Sequence, residues 1–278
     1  MVTEWSRLSQ AERDAAYNNN AAVADSAALI ERRNAASAAF RNAHPAGLDV
    51  PYGPGQRQRF DLFPARSPAA PCLVFIHGGY WQRNTREDFA CYAEGALAHG
   101  WSAALPGYTL APDATLTQIV EEIGSALDWL AADGRRHGIA AGPIVVSGWS
   151  AGAHLAAMTL GHACVAAGLA ISGVFELAPL RDTYLNEKLR LTAGEISTLS
   201  PLRFPPVIKP LAISYGTAEL PALVADGRNL HAHRSAAQAP GPLIPIPDAD
   251  HFTILEELRQ PGGRLMHAAL ELIEEPRR

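Results

Sequence analysis

The stretch Pro143-Ile144-Val145-Val146-Ser147-Gly148-Trp149-Ser150-Ala151-Gly152-Ala153-His154 constrains this chain more than any other. Its apolar start reads as a strand covered on both faces, and its alanine-rich continuation reads as a helix. Between them lies Gly-x-Ser-x-Gly. A strand that turns this sharply into a helix forces unusual φ/ψ on the central residue, and its neighbours must carry no Cβ to crowd the two elements. The serine then stands at the top of a sheet with its Oγ exposed, beside helix N–H groups that face any developing anion. Ser150 is therefore the candidate nucleophile.

The same alternation of strand and helix runs through most of the chain. Strands are expected around 48–50, 57–63, 72–76, 101–105, 144–147, 169–172, 211–215 and 243–246, each an apolar or alternating run. In the second, Arg59 and Asp61 should face out and Phe60 and Leu62 in. The helix with the clearest apolar face spans 115–132, with Leu116, Ile119, Val120, Ile123, Leu127 and Leu130 on one side. Strands alternating with helices imply an α/β fold with a mostly parallel central sheet and helices on both faces. Residues 1–46 read as an N-terminal helical appendage, with Ser9 and Glu12 at capping-box spacing. Residues 174–206 lack a strand and contain Pro179, Pro201, Pro205 and Pro206. They read as a small cap insertion over the carboxyl edge of the sheet, where open α/β folds bind ligands. A chain of 278 residues can bury one substantial core, so a single domain over 1–278 is expected.

Composition narrows the partners. A net charge of −5 with interspersed signs offers no nucleic-acid footprint. No segment reads as a secretory signal or a membrane span. Cys72, Cys91 and Cys164 are odd in number, widely spaced and set in apolar sequence, as free thiols in a reducing compartment would be. A cytoplasmic protein acting on a small molecule is expected, with a homodimer allowed by the sequence. His231 and His233 diverge at this spacing on a helix, and no further ligand set accompanies them, so no metal is expected. No phosphate-binding glycine loop follows a strand, so no nucleotide and no other cofactor is expected either.

Serine acyl transfer needs a base, a group to orient it, and donors for the oxyanion. His251 follows the last strand in Pro247-Asp248-Ala249-Asp250-His251-Phe252, a position that delivers a side chain to the sheet edge. Glu219, directly after the 211–215 strand, is the candidate orienting acid. Asp226 is its rival, one or two helical turns farther on, whereas Asp248 and Asp250 lie too close to His251 in sequence. His77-Gly78-Gly79-Tyr80-Trp81 ends the 72–76 strand and would supply backbone donors from Gly78, Gly79 and Tyr80, joined by the N–H of Ala151. Trp81, Trp149 and Phe175 are candidates for an aromatic substrate pocket.

The segments His-Gly-Gly-Tyr-Trp at 77–81, Gly-Trp-Ser-Ala-Gly-Ala-His-Leu at 148–155, Tyr-Gly-Thr-Ala-Glu at 215–219 and Asp-His-Phe-Thr-Ile-Leu-Glu at 250–256 together resemble the kynurenine formamidase (arylformamidase) branch of the α/β-hydrolases. The likeness extends to residues 12–19 and 105–112. It implies an α/β-hydrolase fold, Ser150, Glu219 and His251 as a triad, and the 78–80 backbone as oxyanion hole. Many members carry Asp where this chain has Glu219. His154 matches a family position, with a structural role expected. The resemblance implies cleavage of a formyl amide such as N-formylkynurenine through an acyl-enzyme. The rivals are a carboxylesterase or carbamate hydrolase on the same machinery, and a catalytically silent binding protein of the same fold.

Overall fold

The computed structural model describes residues 5–67, 69–139 and 142–274. Eight strands form one sheet: β1 (Val50–Pro51), β2 (Arg59–Phe63), β3 (Cys72–Ile76), β4 (Ser102–Pro106), β5 (Ile144–Trp149), β6 (Val165–Ile171), β7 (Leu211–Gly216) and β8 (Leu243–Ile246). Their order across the sheet is β1-β2-β4-β3-β5-β6-β7-β8. The first two join antiparallel, and every pair from β4 to β8 is parallel. This is the mostly parallel sheet expected from the sequence. Each of β3, β4, β5 and β7 is buried along its whole length, the reason these segments read as unbroken apolar runs.

Two apolar layers cover the sheet. One holds Ile119, Ile123 and Leu127 of the 116–133 helix against Val74, Ile76 and Val146; the other holds Phe89, Ala93 and Met266 against Leu73, Phe75 and Val145. The 116–133 helix begins on a Thr115–Gln118 capping box, and the first helix, Gln10–Ala15, on the expected Ser9–Glu12 box.

Asp61 departs from the expected pattern. It is fully buried rather than outward. Arg41 Nε donates to its Oδ2 at 2.8 Å and Arg86 Nε to its Oδ1 at 3.1 Å. Two guanidinium groups from helical segments packed over the strand thus neutralise its carboxylate, which two-residue alternation cannot reveal. The pairing fastens the long Ser26–Ala43 helix and the Arg86–Ala93 turn onto β2. The 174–206 segment contains short helical turns at Ala178–Asp182, Asn186–Leu189, Ala193–Leu199 and Pro201–Arg203. Leu180, Leu185, Leu189 and Ile196 sink into the first apolar layer. No described helix is long and apolar enough to cross a membrane.

Candidate active site

Ser150 sits between β5 and the Ala151–Thr159 helix with φ 58° and ψ −120°, a conformation that side-chain-bearing residues rarely adopt. Its N–H is tied to the Ile171 carbonyl on β6 at 2.8 Å. The flanking glycines are required by proximity. A Cβ on Gly148 would run into the Gly152 backbone, and one on Gly152 into the Ile76 carbonyl. The strain at Ser150 is therefore held by strand and helix packed together on both sides.

His251 and Glu219 meet at the same sheet edge. The imidazole Nδ1 lies 2.8 Å from Glu219 Oε2, with both side chains buried. The other carboxylate oxygen, Oε1, accepts from the Gly216 N–H at 2.7 Å and from Ser172 Oγ at 2.5 Å. With Glu219 accepting at Oε2, Nδ1 carries the proton and Nε2 is left as the acceptor. The His251 loop is braced by Trp149, whose Nε1–H donates to the His251 carbonyl at 2.7 Å and whose ring lies 4.6 Å from the imidazole. Ser150 and His251 line one small cavity together with Gly79, Tyr80 and Trp149.

Asp226, the rival acid, is engaged elsewhere. Its Oδ2 accepts the backbone N–H of Phe175 at 2.8 Å and lies 3.5 Å from that of Glu176, clamping the chain as it leaves β6. Burial pushes its carboxyl up to about 7, against the two N–H groups that favour the anion.

The Gly78–Trp81 turn faces Ser150 across the cavity. Gly79 has φ 119°, and Tyr80 and Trp81 follow at 49° and 57°. Among the described residues, the N–H groups of Gly79 and Tyr80 donate to no protein acceptor. Ala151 begins a helix, where the first N–H groups lack intrahelical partners. The turn is held from behind. The Gly78 carbonyl accepts from Asn84 Nδ2 at 3.1 Å and lies 2.9 Å from His77 Nδ1, while Tyr108 stacks on His77 and donates to its carbonyl at 2.9 Å. Burial pulls the His77 imidazole down to about 3, so it is neutral and structural. His154 is likewise held neutral by burial, at about 4, and bonds the Leu199 carbonyl through Nε2 at 2.7 Å.

Two expected pocket residues are corrected. Trp81 and Phe175 are wholly buried and line neither cavity next to Ser150. Successive left-handed residues turn Trp81 inward, edge-on to His154 at 5.0 Å, and Phe175 enters the core beside the Asp226 clamp. Trp149 does line the site, but its indole N–H is used to brace His251. His233 bonds the Phe204 carbonyl through Nε2 at 2.9 Å. Among the described residues no group of three or more His, Cys, Asp or Glu could hold a metal.

Reading from the sequence alone misses the N-terminal helices as part of the site. Tyr80 Oη donates to the Tyr17 carbonyl at 2.7 Å and accepts from Asn19 Nδ2 at 3.0 Å. Asn18, Asn19, Ile30 and Arg33 line the Ser150 cavity. That region is a wall of the site, and the signals for it are the family likeness over residues 12–19 and the Tyr-Asn-Asn-Asn run at 17–20.

The fold and the strained serine turn define an α/β-hydrolase. The BD-FAE family pattern matches residues 61–165. The chain is 26% identical over 245 residues to a kynurenine formamidase of Danio rerio, covering 81% of each chain. It is 31% identical to a proposed thioesterase from a Silicibacter species, with a TM-score of 0.83, covering 93% of this chain and 99% of that one. An inhibitor-bound esterase B of Lactobacillus rhamnosis shares the fold at a TM-score of 0.67 and 20% identity, over 88% of this chain and 94% of its own. The chain is an α/β-hydrolase, similar in sequence to kynurenine formamidases and in structure to esterases and a thioesterase. It is a serine hydrolase of the esterase and amidase type.

Proposed function

We propose that this hydrolase removes a formyl group from an arylamine, N-formylkynurenine or a close relative, through an acyl-enzyme on Ser150. The observation that carries the reading is the size of the space beside the serine. The cavity lined by Ser150 and His251 measures about 40 Å³, whereas its neighbour, sharing Ile30, Arg33, Trp149 and Phe252 as walls, measures about 330 Å³. A single water needs roughly 10–15 Å³ by this measure, so the inner space takes about three non-hydrogen atoms. A formyl group fits it, whereas a long acyl chain would have to extend beyond it into the neighbouring space. The outer space suits an aromatic leaving group.

In this mechanism His251 Nε2 takes the Ser150 proton as Oγ attacks the formyl carbon. Glu219 stabilises the imidazolium through Nδ1–H, and Gly79, Tyr80 and Ala151 N–H groups receive the oxyanion. The imidazolium then protonates the departing amine nitrogen. Water, deprotonated by the same His251, attacks the formyl ester and releases formate, restoring Ser150.

The test compares kcat/KM for N-formylkynurenine with a p-nitrophenyl ester series of increasing acyl length. The reading expects good formamide turnover and a steep fall from formyl and acetyl to butyryl esters. Poor formamide turnover beside good turnover of longer esters would replace it with a carboxylesterase.

A further inference from the structure

Among the described residues the buried arginines are Arg33, Arg86 and Arg234, and they are held differently. Arg41, Arg86, Arg203 and Arg259 each meet a carboxylate within 3.3 Å. Buried Arg234 has none, but donates to the carbonyls of Val207, Lys209 and Pro240. Arg33 is only 8% exposed, and among the described residues it has neither kind of support. Its Nε and Nη2 share one neutral acceptor, Asn34 Oδ1, at 3.1 and 2.8 Å, and among the described residues Nη1 donates to no protein acceptor. Its guanidinium lies 4.0 Å over the Phe89 ring, which fixes the fork in place. Asp88, whose charge is felt at Arg33 without an ion pair between them, already serves Thr85 through Oδ2.

A buried guanidinium is unfavourable unless an anion, or a set of carbonyls like that around Arg234, completes it. Arg33 lines both the Ser150 cavity and its larger neighbour. The larger cavity adds Arg32, and Arg259, which is already paired with Glu94 at 2.8 Å and lies 3.8 Å from the wall residue Glu256. Its remaining walls include Tyr92, Trp149, Phe252 and Ile30, faces suited to an aromatic ring.

We propose that Arg33 is a specificity-determining residue that binds a carboxylate on the leaving group, so that the substrate class is an acylated aromatic amine or alcohol bearing an acidic substituent. The inference rests on the reading of Ser150 as nucleophile and of the larger cavity as the leaving-group space. A planar guanidinium pairs with a carboxylate through two parallel N–H···O bonds, giving direction as well as affinity.

Two matched pairs test it: phenyl acetate against 3-acetoxybenzoate, and formanilide against 3-formamidobenzoate. The wild type should favour the anionic member by about tenfold or more in kcat/KM, mainly through KM. Arg33→Gln should bring that ratio to about one, and Arg33→Lys should keep part of it. A merely structural Arg33 would lower both members together and leave the ratio intact, which would overturn the proposal. So would an equal rate for both members in the wild type. Preference within the ester pair beside a silent formamide pair would refute the formyl-amide reading and still support Arg33. Should Arg33→Gln fail to fold, calorimetric binding of benzoate and benzamide to the wild type decides: at least tenfold tighter benzoate is expected, and equal affinity refutes the site.

Discussion

Replacing Glu219 by glutamine tests the orienting role at the level of a single proton. The Gly216 N–H can only donate, and it points at Oε1 from 2.7 Å. The amide oxygen of the substituted side chain must therefore occupy that position, with Ser172 Oγ still donating to it. The amide NH2 is then left at the Oε2 position, 2.8 Å from His251 Nδ1. An NH2 group there can only donate, so Nδ1 becomes the acceptor and the imidazole proton moves to Nε2. That nitrogen can no longer take the Ser150 proton. Shape and packing are unchanged, so binding should survive while chemistry fails. Where an acid-to-amide change traps the wrong tautomer, kcat falls about ten-thousandfold, equivalent to roughly 5.5 kcal/mol of transition-state stabilisation. Initial rates on p-nitrophenyl acetate should show this loss in kcat with KM within about threefold of wild type. Asp226→Asn, by contrast, keeps an oxygen for the Phe175 N–H and should lose far less. A Glu219→Gln enzyme within tenfold of wild type, beside a nearly dead Asp226→Asn enzyme, would refute the assignment.

Ser150→Ala should abolish both turnover and labelling by a fluorophosphonate probe; equal labelling of folded variant and wild type would remove Ser150 as nucleophile. Gly78→Ala would bring a methyl group to 2.6 Å from the Trp149 carbonyl and 2.9 Å from Ser150 Cβ, shifting the oxyanion turn. Its kcat should fall by about a hundredfold or more, the effect of losing one oxyanion donor, and an unchanged kcat would show the donors lie elsewhere. Asp226 gives a pH signature in stability. Its carboxyl is raised from 3.8 to about 7 by burial, so between these values the folded state holds more protons than the unfolded one. Its stabilising contribution is complete below about pH 4 and is lost as pH rises through 7, a swing of up to about 4 kcal/mol. Urea unfolding of wild type and Asp226→Asn should diverge in the variant's favour from pH 5 to pH 8; a pH-independent difference would contradict it.

What can be read from the sequence and what cannot divides along the range of the interactions. Ser150, His251 and Glu219 each follow a strand directly, and a strand announces itself through its own apolar residues. Chain order then fixes which edge of a parallel sheet they share. Asp226 can be weighed in sequence but not placed, because its partners, the N–H groups of Phe175 and Glu176, come from a loop some fifty residues earlier. Asp61 reads as outward because strand alternation assigns a face and says nothing of the two arginines that cover that face. Trp81 and Phe175 are sorted by side-chain type, which cannot distinguish an aromatic wall from an aromatic core.

The N-terminal helices show the same limit with a larger consequence. Their sequence is weakly amphipathic, so it describes an appendage. In the fold Tyr17 and Asn19 hold Tyr80 in the turn opposite the serine, and Ile30 and Arg33 stand between the small cavity and the large one. The proposed reaction needs the sheet edge alone: a strained serine, a base, an acid and free N–H groups. Choice of substrate needs surfaces that enclose what the sheet edge leaves open. Here those surfaces come in part from a segment that lies outside the motifs carrying the nucleophile, acid, base and oxyanion donors. Relatives that keep the Ser150, Glu219 and His251 positions while changing the residues at 19, 30 and 33 should therefore keep the chemistry and differ in the leaving group they accept.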